Sequence, residues 1–294
     1  MDVYADALER GLVSDFYDAR GEHRITRPDA LHVCYCHSPM RYVWDHYNLY
    51  RQRAGLLSRL VMPLAMHGLR IWDVSSAARV DHFIANSSFV ASRIQKYYRR
   101  ESDVVHPPVD VDAFSSIENP SDAYLLVGEL VPYKRADLAI AAFTKMGKRL
   151  IVIGDGDERR HVQQGAGPTI AFKGRASQEA LRAAYASCRA LIFPNEEDFG
   201  IVPVEAMASG RPVIALGRGG ALDSIIEGET GLFFREQTVD ALIAAVERFE
   251  AQQSLFVPER ISAHAQRFSR SAFKSGIAAS ISGLRHPYTD ALFA

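Results

Sequence analysis

Cysteine and long apolar runs are both scarce in this sequence of 294 residues. Three thiols, Cys34, Cys36 and Cys188, are too few for the disulfide framework that stabilises small secreted domains. No stretch reaches the roughly 18 uninterrupted apolar residues of a membrane-spanning helix, and the acidic residues scattered through residues 1–20 do not fit a signal peptide. We therefore expect a cytoplasmic protein without a spanning helix.

An excess of charge of either sign is also missing, since 34 Lys and Arg residues are matched by 35 Asp and Glu residues. A formal net charge of -1 supplies no overall attraction to a polyanion, so nucleic acid is not expected as a partner. The hydrophobic fraction of 48% and the charged fraction of 23% are those of an ordinary folded chain, and the length allows two domains.

Two phosphate-binding motifs are absent from the sequence, the spaced three-glycine dinucleotide fingerprint and the GK[ST] motif. Glycine nonetheless follows three predicted strands, at Gly128, at Gly154–Gly156 and at Gly217–Gly220. Each turn alone is weak support, because a tight βα loop often needs glycine for its geometry only. Together at one edge of an inferred sheet they favour an edge that is open to a nucleotide.

Short apolar runs alternate with helical patterns throughout the second half of the chain. This is the pattern of βα units around a parallel sheet, and it predicts an α/β fold. We predict strands at Tyr124–Val127, Leu150–Ile153, Thr169–Phe172, Ala190–Phe193, Pro212–Ala215 and Gly231–Phe234. We predict helices at about Asp137–Met146, Asp157–Gln164, Gln178–Cys188, Pro203–Ser209, Asp223–Glu227, Val239–Gln252 and Pro258–Ser282.

The first half contains fewer such units. Residues 1–30 are polar and predict a short helix followed by irregular chain, and strands are predicted at Leu31–Cys36, within Val80–Ser88 and within Val104–Asp110. We divide the chain into an N-terminal Rossmann-like domain at residues 1–111, a polar linker at 112–121 and a C-terminal Rossmann-like domain at 122–294.

The stretch from Asn195 to Gly210 carries the strongest chemical signal. An acidic loop follows a predicted strand and leads through Gly200 into a helix whose first turn contains Pro203. A helix that begins just beyond a strand of a parallel sheet points free N–H groups and its positive dipole end at the ligand crevice, which suits a phosphate. Gly200 would let the ligand approach the backbone.

Glu197 and Glu205 in this stretch would lie roughly 12 Å apart if the whole interval were helical, at about 1.5 Å per residue. A retaining glycosidase pair needs roughly 5 Å. Two carboxylates that bind different hydroxyls of one extended ligand are therefore the more natural interpretation. The structural alternative is that Glu205 complements the helix dipole and Glu197 is a solvated loop charge. The stretch alone favours neither.

Three other residue sets have both a functional and a structural interpretation. His37 follows a predicted strand and could bind a sugar hydroxyl or a phosphate, or serve as a structural hydrogen bonder. Lys134, at the start of the helix after Gly128, could neutralise a diphosphate or be an exposed lysine. Strand alternation puts His32, Cys34 and Cys36 on one face, but a fourth ligand at a tight spacing is missing, so buried thiols are expected rather than a metal site.

The segment from Tyr42 to Trp72 is rich in leucine, aromatic and arginine residues. Basic amphipathic helices of this kind can lie on an anionic membrane. Packing of the apolar stripe onto its own domain is the expected arrangement, and Pro63 is expected to break a single long helix. The residues concerned are Leu56, Leu57, Leu60, Val61, Leu64 and Leu69, with Arg51, Arg53, Arg59 and Arg70.

Together these motifs resemble the retaining glycosyltransferases of family 4, which have the two-domain GT-B fold, from about Ala30 to the C-terminus. The most specific part is Glu197–Ala206, which is similar to the family's E-x7-E signature, while Val127–Lys134 and Ile153–Gly156 resemble its phosphate-binding turns. The resemblance is closest to a bacterial mannosyltransferase subgroup that builds polysaccharides and the O-antigens of lipopolysaccharide, and it suggests GDP-mannose as the donor. It rests on Cys36–Tyr42, Ala85–Ser87 and His106–Asp110.

The resemblance implies a role for each matched residue. Glu205 would hold the ribose hydroxyls of the nucleotide and Glu197 the hydroxyls of the transferred sugar. Lys134 would supply the charge that a metal ion supplies in other glycosyltransferases, so neither a metal nor a cofactor is expected. His37 would face the donor sugar from the opposite domain, and it joins Glu197 and Lys134 as an implied catalytic residue.

The implied donor-binding set is larger and includes the backbone N–H groups from Phe199 to Val202, which would bind the diphosphate. Glu129 stands where many family members carry arginine, so Arg135 or Arg175 would have to supply one phosphate contact. The set is Gly128, Lys134, Arg135, Gly154, Gly174, Arg175, Glu197, Phe199, Gly200, Ile201, Val202 and Glu205.

The resemblance also implies a domain arrangement, in which the last helices return toward the N-terminal domain. That domain is expected to be incomplete, because the family has several βα units before the segment that matches His37. The implied activity is metal-independent, retaining transfer of a hexose, mannose, from a nucleotide sugar to a glycan or polyprenyl-linked acceptor at the cytoplasmic face of the inner membrane. A peripheral contact with that membrane would accompany it. The alternatives are a non-catalytic nucleotide-sugar-binding protein or partner subunit, and a sugar-nucleotide epimerase or phosphorylase.

Overall fold

The computed structural model describes residues 31–45 and 47–284. The short helix and irregular chain predicted for residues 1–30 lie outside the described residues. The chain divides into two compact units, of which the second is Pro107–Phe273 and the first contains the residues on either side of it. Residues 112–121, predicted as a linker, fall within the second unit.

The first unit is built on a three-stranded parallel sheet in the order β1-β2-β3, formed by Val33–Cys36, His82–Ala85 and Asp103–Val104. Its helices are α1 Arg41–Trp44, α2 Tyr47–Arg53, α3 Leu56–Ala77 and α4 Ser88–Tyr98. Ser87 begins α4 by accepting a hydrogen bond from the Val90 N–H, the usual function of a serine at this position.

The cysteines of the first unit are core residues. Cys34 and Cys36 are buried in one apolar cluster with Phe83 and Ile94. Among residues 31–45 and 47–284, no three His, Cys, Asp or Glu side chains are grouped so that they could hold a metal ion. The structure therefore confirms the prediction that these thiols are buried core side chains of a strand.

Helix α3 corrects two expectations about the basic apolar segment. It runs unbroken for 22 residues through Pro63. Pro63 is exposed, so the carbonyl that loses its N–H partner can be hydrated, and the helix continues. Most of the apolar stripe does not pack onto the described residues of its own domain, because Leu56, Leu60 and Leu64 are 87%, 76% and 78% exposed, whereas Leu69 is half-buried. In the part of the chain described here, no helix is both long and apolar enough to cross a bilayer.

The second unit contains a six-stranded parallel sheet in the order β6-β5-β4-β7-β8-β9. The strands are β4 Tyr124–Val127, β5 Leu150–Ile153, β6 Ile170–Gly174, β7 Leu191–Phe193, β8 Val213–Leu216 and β9 Gly231–Phe234. The central strands are continuous apolar runs, as expected for parallel strands that are covered by helices on both faces.

Helices connect these strands and follow the last of them. They are α5 Ala136–Met146, α6 Arg159–Gln164, α7 Gln178–Ser187, α8 Ile201–Ala208, α9 Ala221–Ser224, α10 Val239–Ala251, α11 Pro258–Ala265 and α12 Arg270–Ser282. The predicted helical tail Pro258–Ser282 is two helices joined by a 3-10 turn at Gln266–Phe268. From Lys274 onward α12 belongs to the first unit, where Ser280 donates to the Asp103 carboxylate at 2.6 Å.

Two helix-ending glycines provide a matched test of backbone strain. Gly147 ends α5 at φ +66°, and Gly165 ends α6 at φ -92°. A Cβ on either would meet nothing within 4 Å. We predict that Gly147→Ala lowers the free energy of unfolding by about 1 kcal/mol through its left-handed backbone. Gly165→Ala should leave it unchanged or slightly raised. Urea unfolding of both variants measures the difference, and equal effects would contradict the assigned backbone geometry.

Candidate functional site

The strand order places a crevice at the centre of the six-stranded sheet. From β4 the chain moves outward to β5 and β6, then returns to form β7, β8 and β9 on the other side. The loops that leave β4 and β7 therefore diverge at the carboxyl edge, which is where open α/β sheets bind ligands. Lys134 lies in the loop after β4 and Glu197 in the loop after β7.

An ion pair spans this point of the sheet. The Lys134 Nζ donates to Oε1 of Glu197, and the Asn195 side-chain amide donates to the same oxygen at 2.7 Å. The Lys134 and Glu197 side chains are 23% and 18% exposed, so both stay accessible to a ligand. Oε2 of Glu197 makes no hydrogen bond within the described ranges of the chain. This carboxylate is therefore fixed through one oxygen and able to accept through the other.

Glu205 is held in a comparable way by α7. The Tyr185 hydroxyl donates to its Oε2 at 2.7 Å, and Oε1 has no hydrogen bond among the residues that the structure describes. Burial raises the pKa of the Glu205 carboxyl, while the Tyr185 hydroxyl and the charge of Arg182 lower it. A carboxylate that is partly removed from water and retains an unused oxygen is a good acceptor for two neighbouring hydroxyls.

Glu205 lies within helix α8, which begins at Ile201, whereas Glu197 lies in the loop before it. The interval from Glu197 to Glu205 is therefore only partly helical. Gly200 precedes α8 at φ +86°, a backbone conformation that favours glycine, and a Cβ there would lie 3.0 Å from the Phe193 ring. The N–H groups of Ile201 and Val202 have no acceptor in the described part of the chain. They point out of the helix start together with its positive dipole end.

The side chains of the predicted diphosphate-binding segment lie in different environments. Phe199 is buried, with its ring centroid 5.6 Å from that of Phe268, whereas Ile201 is 44% exposed. Gly220 packs directly against the loop that carries Glu197. Its N–H donates to the Glu197 carbonyl at 2.9 Å, and a Cβ on it would lie 2.2 Å from the Phe199 Cα, so only glycine fits at this position. The Phe199 side chain therefore belongs to the core of the second unit.

The glycine turns differ in what each glycine is needed for. A Cβ on Gly154 would lie 1.8 Å from the Gly128 carbonyl oxygen, and one on Gly156 would lie 2.5 Å from the Leu130 carbonyl oxygen. These two glycines allow neighbouring loops to pack backbone against backbone. A Cβ on Gly128 would meet nothing within 4 Å, so the backbone at Gly128 is open to an approaching group.

The predicted arginines are not brought into the Lys134 ion pair. Arg135 has a left-handed backbone at φ +53° and donates to the Asp137 carboxylate and, at 2.9 Å, to the Gln237 side chain. Gln237 in turn donates to the Pro194 carbonyl at 2.9 Å. Arg175, after Gly174, is exposed. The hydrogen bond from the Gly156 N–H is the main cause that lowers the pKa of Asp155, and the charges of Arg159 and Arg175 lower it further.

His37 lies in the first unit, directly after β1. Its side chain is exposed, its ring packs edge-on at 5.1 Å from the Tyr35 ring, and its carbonyl accepts from the Asn86 amide at 3.0 Å. Arg93 holds the following residues by donating to Ser38 Oγ at 2.9 Å and to the Pro39 carbonyl. The predicted catalytic role of His37 stays a prediction.

Three side chains that hydrogen-bond predicted site residues had no role predicted from the sequence: Asn195, Gln237 and Tyr185. Asn195 and Gln237 carry the signal that identified Lys134, a polar side chain in a loop beyond a strand of the parallel sheet. Tyr185 gave no such signal, because an aromatic residue in a helix is most simply a core residue, as its ring is here.

Comparisons with known proteins place this geometry in a family. The model of the family described as glycosyl transferases group 1 matches residues 111–273. The GDP-mannose-dependent alpha-mannosyltransferase of Mycolicibacterium smegmatis is 37% identical over 213 residues, covering 68% of this chain and 56% of that protein. The D-inositol 3-phosphate glycosyltransferase of Streptomyces avermitilis is 27% identical over 196 residues, covering 55% and 42%. The chain spans about half the length of the curated relatives it matches.

Solved structures share the architecture. Sucrose-phosphate synthase from Thermosynechococcus elongatus matches with a TM-score of 0.70 at 19% identity, over 94% of this chain and 75% of that chain. HepE from Anabaena in complex with UDP and glucose matches with a TM-score of 0.69 at 19% identity, over 87% and 72%. At this identity the likeness shows the fold alone. It confirms the predicted α/β class of GT-B type with parallel sheets.

The family model includes all six strands of the second sheet and the loops that carry Lys134, Glu197 and Glu205. It covers more than half of the sequence. The chain belongs to the group 1 glycosyl transferases.

Proposed function

We propose that the second unit binds a nucleotide sugar, GDP-mannose, at the crevice between β4 and β7. The chain then transfers the hexose, with retention at the anomeric carbon, to a glycan or polyprenyl-linked acceptor in cell-surface polysaccharide synthesis. One observation carries this proposal: an accessible lysine and carboxylate meet across the central crevice, beside the uncapped start of α8. Lysine charge and free helix N–H groups are what a diphosphate requires.

Each group has a distinct task in this proposal. The Lys134 ammonium and the N–H groups of Ile201 and Val202 bind the diphosphate. Glu205 accepts from the ribose hydroxyls through its unused oxygen, and Glu197 accepts from hydroxyls of the transferred sugar. Because Lys134 and Glu197 already touch, diphosphate and sugar are held on either side of one ion pair.

The reaction needs no nucleophile from the protein. The bond between the anomeric carbon and the diphosphate oxygen breaks, and the acceptor hydroxyl oxygen attacks the same face of that carbon. The acceptor proton passes to the leaving diphosphate. Lys134 and the α8 dipole stabilise the negative charge that develops on the leaving group, so positioning and preorganised electrostatics supply the acceleration.

Two further observations support GDP-mannose as the donor and the cytoplasm as the compartment. A mannosyltransferase named for GDP-mannose is more similar in sequence than the UDP-bound structure, whose likeness concerns the fold. The three described cysteines are free and buried, as expected for a protein of a reducing compartment. We place the reaction in the cytoplasm, at the inner face of the inner membrane.

Thermal unfolding with a panel of GDP, UDP, ADP and GDP-mannose tests the donor. We predict the largest rise in melting temperature with GDP-mannose and GDP, since a ligand at about 100 times its dissociation constant stabilises by roughly 2.7 kcal/mol. A larger rise in melting temperature with UDP or ADP would contradict guanine as the base of the donor. No rise with any of the four compounds would contradict nucleotide binding. Release of GDP from GDP-mannose then separates a transferase from a protein that binds the donor without turnover.

A further inference from the structure

Arg135 has a strained backbone directly after Lys134. Its φ of +53° and ψ of +37° lie in the left-handed region, which costs free energy for any residue that has a Cβ. Its side chain is held from two directions. Nε and Nη2 donate to the Asp137 carboxylate at 3.0 and 3.1 Å, and Nη1 donates to Gln237 Oε1 at 2.9 Å. These contacts hold the strained turn that carries Lys134 in one conformation.

Gln237 joins this turn to the loop on the other side of the crevice. It is half-buried between the end of β9 and the start of α10. Its Oε1 accepts from Arg135, and its Nε2 donates to the Pro194 carbonyl at 2.9 Å. Because a guanidinium only donates and a carbonyl only accepts, the two partners determine the orientation of the amide. We call these two hydrogen bonds, from Arg135 through Gln237 to Pro194, the Gln237 bridge.

Strand pairing does not hold the two loops together at this edge of the sheet. Within the part of the chain that the structure describes, β4 and β7 pair in register only at Leu125 and Leu191, near the amino ends of both strands. Lys134 and Glu197 lie beyond the carboxyl ends. The Gln237 bridge crosses the gap there, directly after Lys134 and shortly before Glu197.

We propose that Gln237 is a positioning residue of the donor site. A lysine has a flexible stem, so its charge stabilises a diphosphate fully only when the chain that carries it is fixed. Since this role rests on the proposed function, in which Lys134 and the start of α8 bind one diphosphate, the Gln237 bridge sets the separation between them. Arg135 then acts through the bridge rather than on a phosphate.

A double-mutant cycle with Lys134 tests the positioning role. Gln237→Met keeps the size of the side chain but cannot form the bridge, and we expect it to weaken GDP binding about fivefold. The salt dependence of GDP binding should fall with it, because Lys134 supplies part of that dependence. Added to Lys134→Met, Gln237→Met should weaken GDP binding by less than about a further twofold, since no lysine remains to be positioned. Calorimetric titration with GDP gives the four affinities.

The matched control is Gln253→Met. Gln253 also accepts from an arginine, Arg189 at 2.6 Å, but Arg189 precedes β7 at the amino edge of the sheet, so we expect wild-type GDP affinity. Unchanged GDP affinity in Gln237→Met, or the same loss with and without Lys134, would overturn the positioning role and leave the proposed function standing. Wild-type GDP affinity in Lys134→Met alone would contradict the proposed function itself, and the positioning role with it.

Discussion

Replacing Glu205 by glutamine should weaken GDP binding about 10- to 100-fold, because a charge-assisted hydrogen bond contributes roughly 1.5–3 kcal/mol. The same variant should be at least as stable as the wild type near neutral pH. Burial raises the pKa of Glu205 in the folded protein, so its ionised form costs free energy that glutamine does not. Glutamine can still accept from the Tyr185 hydroxyl. Calorimetric titration with GDP and thermal unfolding measure the two effects.

The contribution of Glu205 to folding stability depends on pH with a definite sign. Since the pKa of Glu205 is higher in the folded than in the unfolded protein, the folded state holds more protons between the two values. The contribution of this carboxyl to stability is therefore largest at low pH and falls as the pH rises above the ordinary carboxyl value. The stability advantage of Glu205→Gln should appear over that interval and vanish below it.

Glu250→Gln is the matched control. Glu250 also accepts from a tyrosine hydroxyl, that of Tyr124 at 2.9 Å. Burial raises the pKa of Glu250, but the hydrogen bonds from Lys148 and Tyr124 and the charges of Lys148 and Arg189 hold it below the ordinary value. Its ionised form stabilises the protein above the unfolded pKa, so Glu250→Gln should lower the melting temperature at neutral pH and leave GDP affinity unchanged. Unchanged GDP affinity in Glu205→Gln would contradict the ribose-binding role, and a loss of stability there would contradict the cost of ionising the buried carboxyl.

Replacing Lys134 by methionine should lower the affinity for GDP about 10- to 100-fold and leave the affinity for guanosine unchanged. The lysine is proposed to act on the diphosphate, and its removal also leaves the Glu197 carboxylate unneutralised beside it. Raising the salt concentration should weaken GDP binding more in the wild type than in Lys134→Met. Titration of both proteins with GDP and guanosine at two salt concentrations gives the comparison.

Lys145→Met is the control for loss of a lysine charge. Lys145 pairs with Asp240 at 2.8 Å, and both side chains are largely exposed, so neither ligand should bind differently to this variant. An equal loss of GDP and guanosine affinity in Lys134→Met would indicate a disturbed fold rather than a missing phosphate contact. Unchanged GDP affinity would remove Lys134 from the proposed site.

The sheet of the second unit could be predicted from the sequence because its strands are short apolar runs ending in glycine or polar loops. Three strands, Tyr124–Val127, Leu150–Ile153 and Gly231–Phe234, have the predicted bounds. Helix α8 begins two residues before Pro203, since proline is tolerated at several positions of a first turn and does not mark one start. Pro63 was wrongly expected to end a helix for a related reason: hydration of an exposed carbonyl makes the lost hydrogen bond tolerable.

The site could be predicted in part. Lys134 and Glu197 were identified separately, from their positions after strands, but they are 63 positions apart and their contact depends on β4 and β7 being neighbours. Strand order is not encoded in local periodicity, so the pair itself could not be inferred. Helix α3 shows the same limit. Periodicity predicts an apolar face on α3. Hydrogen bonds from Arg70 to the Val43 carbonyl and from Trp44 and Tyr98 to Asp73 hold the opposite face inward, so Leu60 and Leu64 point outward.

Hydrogen exchange with and without GDP-mannose tests most directly the claim that the crevice between β4 and β7 is the donor site. The account predicts slower exchange in peptides covering residues 128–135 and 197–205, where the Lys134–Glu197 pair and the N–H groups of Ile201 and Val202 would meet the ligand. Peptides from the amino ends of the same strands should be unaffected. Protection confined to other segments, or no protection at a saturating concentration of GDP-mannose, would contradict it.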